Sequence, residues 1–232
     1  PAATVTGTVI LSAFTTKLAI YALARGFAGT EMLIYIGAVM TLFPIFFAEI
    51  ENDLRKVLAY SLNNQLGFMV VGVGIGSEMA LNGTAAHAQD FDDNFMAALT
   101  HASAVLVPAI LAVAEETGAS GADVIDAYIV GLECHAAIGR GVNRAHYMKG
   151  WHATATLGPI GVAAACSRLL GADPAQMAHA MALATSSSAG MKSQFGFDAK
   201  ALHVGMAAEA GLRAAMLAQV GATGNIDIWD AP

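Results

Sequence analysis

Charged side chains are scarce in this 232-residue chain. They make up 12% of it, while 56% of its residues are hydrophobic, and ordinary soluble domains carry ~25% charged residues. Disorder needs the reverse balance and is excluded. Cysteine is nearly absent: Cys134 and Cys166 are no disulfide scaffold, and no CxxC pair suggests a zinc ribbon. The net charge is −7 and no run of lysine or arginine occurs, so a nucleic-acid partner is not expected. There is no HExxH or other tight metal-ligand spacing, no GxSxG elbow and no glycine-rich phosphate loop after a strand, which removes the usual signatures of zinc peptidases, serine hydrolases and nucleotide sites. Alternating strand patterns are also missing. An all-α fold is therefore expected.

What is present is unevenly spread. Residues 1–86 hold four basic residues (Lys17, Arg25, Arg55, Lys56), five acidic ones and no histidine, whereas residues 87–232 hold seven basic residues, thirteen acidic ones and all seven histidines. Three apolar stretches, Val5–Ala24, Met32–Ala48 and Val57–Ile75, fill most of the first part. A helix needs ~20 apolar residues to span a ~30 Å hydrocarbon core. A buried soluble hairpin competes with this reading, but three consecutive segments without a polar face favour the membrane. No basic leader precedes the first stretch and the chain starts with Pro1, so a secretory signal does not explain it and earlier sequence is expected to be missing. Lys17 lies near the middle of that stretch. An ionisable group at membrane depth is costly and is a functional candidate by default, the plainer role being a lysine that snorkels to an interface.

The runs SAFTTKLAIYALARGF, IYIGAVMTLFPIFFA and NDLRKVLAYSLNNQLGFMVVGVGIGS resemble the antiporter-like subunits of multisubunit cation/proton antiporters and respiratory complex I. The resemblance covers roughly residues 1–86. It implies about three transmembrane helices over residues 1–80, an inner-membrane location, other antiporter subunits as partners and a proton-path role for Lys17. The family's further helices, lysines and paired glutamate do not occur here, so transport by this chain alone is not expected.

After His87 the pattern is helical and well punctuated. Helices are expected over Ala102–Thr117 (stopped by Gly118), Val124–Ile138 (capped from Ser120 and Asp123), Ala153–Leu170, Asp173 to about Thr185, and Ala201–Val220. Polar residues gather between them in three segments: Gln89–His101, His146–Thr156 and Gly190–His203. Helix N-termini facing a shared pocket would favour an anionic ligand. Singly, each residue has a plainer role: Asp92 or Asp93 can cap the next helix, and His146 can be a surface residue. Together they suit proton transfer on a carboxylate-bearing substrate, one positioned His or Lys removing a proton and another acid protonating the leaving group. Lys200 and His203 are three apart at a helix start and share a face. A metal set of His101, His152 and Asp90 competes without a supporting spacing, and Cys166, mid-helix on an alanine-rich face, is a poor nucleophile. The serine run Ser186–Ser188 suits either anion binding or a helix end.

The motifs NGTAAHAQDFDD, LTHASAVLVPAILA, DAYIVGLECHAAIGR, GWHATATLGPIGVAAACSRLLG and KALHVGMAAEAG resemble the MmgE/PrpD family of 2-methylcitrate dehydratases and cis-aconitate decarboxylases. The resemblance runs from about Leu81 to Gly224. It implies a cytoplasmic, homodimeric, mostly helical lyase acting on a small polycarboxylate without metal or organic cofactor, by dehydration, decarboxylation or epimerisation. By motif it assigns catalytic roles to Asp90, His101, His152 and Lys200, with His203 beside them and Lys192 as a further substrate-binding candidate. The family's first helices and its lid domain are expected to be missing, leaving residues 81–232 as a partial catalytic domain. The string ALNGTAAHA fits both families, so the chain is expected to be a chimera joined there, with little or no turnover.

Overall fold

A computed structural model describes residues 30–50 and 78–230, with isolated positions 19, 22, 23 and 56. Lys17, nearly all of Val5–Ala24 and all of Val57–Ile75 lie outside the described residues. The chain divides into two compact units, Pro1–Leu81 and Asn82–Pro232. Among the described residues the secondary structure is helical, with two isolated bridges and no strand.

In the first unit the middle apolar stretch forms α1, Glu31–Ile50. Met32, Tyr35, Ile36 and Val39 are exposed, at spacings of three and four that place them on one face. No helix among the described residues is long and apolar enough to cross a membrane.

The following helices are α2 (Glu78–His87), α3 (Ala102–Thr117), α4 (Gly121–Val142), α5 (Ala145–Met148), α6 (Ala153–Leu169), α7 (Pro174–Thr185) and α8 (Ala199–Gln219). Their ends follow local chemistry. Ser120 and Asp123 form a reciprocal capping box at α4, and Asp173 with Gln176 forms another at α7, where Pro174 takes the first position. Gly118 ends α3 in the left-handed region at φ 66°. Helix α4 runs four residues beyond Ile138 because Gly139 fits against Ala98 and the helix closes only at the Asn143 N–H to Gly139 carbonyl bond. The helices α2 and α5 fall where none was expected.

The centre of the second unit is α6, every residue of which from Ala153 to Ser167 is buried. Helices α3, α4, α7 and α8 pack around it. A helix buried all round must be apolar and mostly small, and ATATLGPIGVAAACS satisfies both demands. Gly161 shows why size matters: a Cβ there would run into the His135 ring and meet the Gly131 carbonyl at 3.1 Å, so α4 and α6 cross backbone to backbone. On α3, Val105, Leu106 and Ile110 are fully buried, each stabilising the packing by about 1.5–3 kcal/mol. This packing brings the N-termini of α3 and α6 together, and the polar segments that precede them meet there.

Candidate active site

The segment between α2 and α3 is held in a strained, specific shape. Phe95 and Thr100 pair as an isolated bridge, and two non-glycine residues, Asp90 (φ 58°) and Leu99 (φ 53°), adopt left-handed conformations. Such residues cost of order 1–3 kcal/mol each and persist only where their surroundings fix them. Asp93 accepts a bond from the Ser103 N–H at 2.9 Å and thereby caps α3. Asp92 turns the other way and accepts from His87 Nδ1 at 2.7 Å. The two adjacent carboxylates thus have different tasks, one structural and one facing the histidines.

His101 and His152 stand at the N-terminal ends of α3 and α6. The His101 N–H bonds Thr154 Oγ1 at 3.0 Å, tying the two helix starts together. The His152 N–H bonds the Gly190 carbonyl at 3.0 Å, and Trp151 bridges Met191. Gly190 sits at φ 136°, where an added Cβ would meet Ala155 Cβ at 2.7 Å and His203 Nδ1 at 3.2 Å. Only glycine lets the chain pass this close to the histidine pair. Behind His152, His203 Nδ1 lies 3.2 Å from His152 Nδ1, and Phe195 packs edge-on against the His152 ring at 5.0 Å.

Lys200, in the first turn of α8, reaches Asp90 with Nζ 2.5 Å from Oδ2, a contact between residues 110 apart in sequence. Its ammonium also lies 5.2 Å from the Phe195 ring centre, a cation–π distance. His101 Nε2 is 4.0 Å from Asp90 Oδ1 and His101 Nδ1 is 3.6 Å from Asp92 Oδ1. A cavity of about 150 Å³ opens among these groups, lined by His101, His152, Lys200, Tyr147, Thr154 and Phe195 together with the Asn94–Thr100 turn. Asp90, His101, His152 and Lys200 therefore form one cluster, with Asp90 joined to the cavity through Lys200. His203 stands behind His152, and Lys192 lies with Nζ 3.6 Å over the Tyr147 ring; neither lines the cavity. His146 bonds Thr156 Oγ1 at 2.7 Å, a partnered role that sequence could not distinguish from a surface one.

Burial and neighbouring charges set the protonation states. Burial, with the electrostatic influence of His87, His203, Lys200 and His101 behind it, pushes His152 down to about 3, so its ring is neutral near pH 7. Burial likewise lowers His203, with His87 adding to the effect. Partial burial alone would raise Asp90, but the Lys200 bond and charge outweigh it and hold its carboxyl below the usual range. Asp92 is held low in the same way, burial being overcome by the His87 bond, with the nearby His87 and His101 rings adding to it. The site thus pairs ionised carboxylates with a cation and a neutral imidazole, a combination able to give and take protons. Sequence reasoning passed over His87 and Asp92 as site residues. Their five-residue spacing across NGTAAHAQDFDD was the available signal, but only the folded turn brings them together. His87, Asp90, Asp92 and His101 also offer ligand atoms within 4.8 Å of one another. This set differs from the His101, His152 and Asp90 grouping suggested by sequence, and here the Lys200 ammonium already neutralises Asp90.

Residues 74–232, well over half of the chain, match the family model of the MmgE/PrpD N-terminal domain. The chain belongs to the MmgE/PrpD family. Within this MmgE/PrpD part, similarity extends to the cis-aconitate decarboxylase of Homo sapiens, 35% identical over 155 residues, which are 65% of this chain and 32% of that protein. It extends also to the cis-aconitate decarboxylase of Aspergillus terreus, 36% identical over 141 residues, or 58% of this chain and 29% of that protein. The chain spans about a third of the length of these curated relatives. Residues 1–110 match a second family model, NADH:quinone oxidoreductase/Mrp antiporter, TM. There the NADH-quinone oxidoreductase subunit L of Rhodobacter capsulatus is 42% identical over 45 residues, 19% of this chain and 6% of that protein. The two matches overlap at residues 74–110, which include the ALNGTAAHA string. A stretch of antiporter type thus runs into an MmgE/PrpD domain within a single chain, as a chimera would.

Proposed function

We propose that residues 82–232 carry the acid–base half of a lyase site for a small polycarboxylate of the cis-aconitate type. The observation that carries this reading is the convergence of His101, His152 and the Lys200–Asp90 pair on one cavity. The named relatives supply the substrate class. A polycarboxylate must have its charge offset when it leaves water. Lys200 provides a full positive charge, and the N-termini of α3 and α6 add the positive ends of two helix dipoles.

In this reading Lys200 binds a substrate carboxylate in exchange for part of its bond to Asp90, which holds the ammonium in place meanwhile. His101 and His152 handle the proton. Removing a proton alpha to a carboxylate leaves an electron pair that expels a leaving group. Loss of carbon dioxide instead leaves an electron pair on carbon that must take up one proton. Either course needs an imidazole that can accept and an acid that can donate, and His101 and His152 are the pair placed to share the two tasks. His203 fixes the His152 ring through Nδ1, and Lys192, resting on Tyr147, lies close enough to the cavity wall to meet a second carboxylate. For this part the resemblance implies a cytoplasmic place. A second copy of the chain is the partner the reading implies. The test is proton exchange. The full chain in detergent is incubated with cis-aconitate in D2O, and deuterium incorporation beside the carboxylates is followed by NMR. Exchange above the blank that disappears in Lys200→Ala and His152→Ala supports the reading, and exchange equal to the blank refutes it.

For residues 1–80 we infer an inner-membrane segment of antiporter type, on the strength of the match over residues 1–110 and the exposed apolar face of α1. Lys17 would be its proton-path residue. A full chain that purifies as a monodisperse monomer without detergent would contradict this. Reads of genomic DNA across the codons for residues 80–90 decide whether the join is natural.

A further inference from the structure

The roles given to Lys200, His101 and His152 leave unexplained a carboxylate and an imidazole that are both buried against the site. The Asp92 side chain is 8% exposed and the His87 side chain 0%, a costly place for a charge unless the charge does something there. Asp92 Oδ2 takes the His87 bond, and Asp92 Oδ1 faces His101 Nδ1 at 3.6 Å. Neither that oxygen nor that nitrogen has a hydrogen-bond partner, and both are shut off from solvent. The His87 ring packs at 4.6 Å from the His101 ring and 5.8 Å from the His152 ring, so it fills the space into which His101 would otherwise turn.

We propose that Asp92 and His87 are positioning residues for His101: the carboxylate accepts Nδ1–H from both imidazoles, so that His101 turns an unprotonated Nε2 to the cavity. The proposal rests on the acid–base reading of the site. The chemistry is direct. An ionised carboxylate can only accept, so a nitrogen facing it in a buried place carries the proton. Neutral imidazole holds one proton, and fixing it on Nδ1 leaves the lone pair on Nε2, which is 4.0 Å from Asp90 Oδ1, a half-exposed carboxylate whose proton donor is already Lys200. A base oriented by a third group through its far nitrogen is a recurring device, and such bonds are commonly long until substrate closes the site. His87 acts as the clamp, because its own Nδ1 bond holds one Asp92 oxygen and leaves the other toward His101.

The experiment reads tautomers rather than turnover. The full chain, labelled with 15N-histidine and held in detergent, is examined near pH 7.5 by long-range proton–nitrogen NMR. The His101 ring, assigned by its loss in His101→Asn, is expected as the Nδ1–H tautomer, the less common form of a free imidazole. In Asp92→Ala it is expected to revert to mostly Nε2–H, and Asp92→Glu is expected to restore Nδ1–H. His101 found as Nε2–H in the unaltered chain overturns the proposal even if no variant folds, and so does a His101 tautomer unmoved by Asp92→Ala. In the exchange assay, Asp92→Ala is expected to slow deuterium incorporation at least tenfold with little change in KM. An Nδ1–H tautomer in a chain that exchanges nothing leaves the positioning role standing and removes the lyase reading. Exchange with His101 as Nε2–H does the opposite.

Discussion

Acid should unfold the second unit far sooner than its carboxylates alone would allow, because its core contains imidazoles that resist protonation. His135 is completely buried and pushed by that burial down to about 4, and His152 is pushed down to about 3. In the unfolded chain both return to about 6.5. A histidine whose value is lowered by folding contributes stability above 6.5 and loses it as pH falls from 6.5 toward the folded value. At pH 5 the unfolded chain has bound nearly two protons that the folded unit refuses. Stability therefore falls by about 2.5 kcal/mol per pH unit there, and by roughly 4 kcal/mol between pH 7.5 and 5. A domain stable by 5–15 kcal/mol gives up a large share of that margin. His203 and His146, both lowered by burial, act in the same direction, and Asp198, raised by burial, acts against them. Urea unfolding followed by circular dichroism at pH 7.5, 6.5, 5.5 and 5.0 reads the slope, and His135→Leu should remove close to half of it. A midpoint independent of pH across this range, or a slope unchanged in His135→Leu, would refute the reasoning.

Other perturbations have defined outcomes. Gly190→Ala forces a side chain into a left-handed position and against Ala155 and His203; it should cost about 2–3 kcal/mol and lower Tm by roughly 5–10 °C, with His152 ring resonances shifted in the same sample. Gly161→Ala should destabilise by about 1–3 kcal/mol through overpacking against His135, measured by the same urea transition, and a neutral result would mean α4 and α6 can move apart. For Lys200 and Asp90, whose carboxylate is 55% exposed, a double-mutant cycle with Lys200→Met and Asp90→Asn should give a coupling of at most about 1 kcal/mol that shrinks in 0.5 M salt. A coupling of several kcal/mol, unmoved by salt, would mean the pair is sealed from water.

Sequence made the helices of the second unit readable because their ends are chemical. Ser120–Asp123, Asp173–Pro174 and Gly118 each satisfy or terminate a helix by themselves, with no help from distant residues. What sequence could not show was tertiary. Nothing local says that Gly139 would pack on Ala98 and carry α4 past Ile138. Nothing local says that Asp93 would cap α3 while Asp92 turns to His87. The candidate residues Asp90, His101, His152 and Lys200 could be named from their motifs, but their common cavity depends on small residues along α6 that let two helix N-termini meet. His87 was hidden for a related reason: a histidine among alanines in a helical stretch looks like packing until the turn after it folds back. Lys192 and His203 were legible as polar residues near the site, whereas their places over Tyr147 and behind His152 depend on the Gly190 turn.

The central claim is that residues from three separate segments form one binding site for a polycarboxylate. Titration calorimetry of the full chain in detergent with cis-aconitate tests it most directly. A saturable one-to-one heat in the millimolar range, lost in Lys200→Ala and weakened in His152→Ala, is the result expected. No saturable heat, or a heat that both variants leave unchanged, would contradict it.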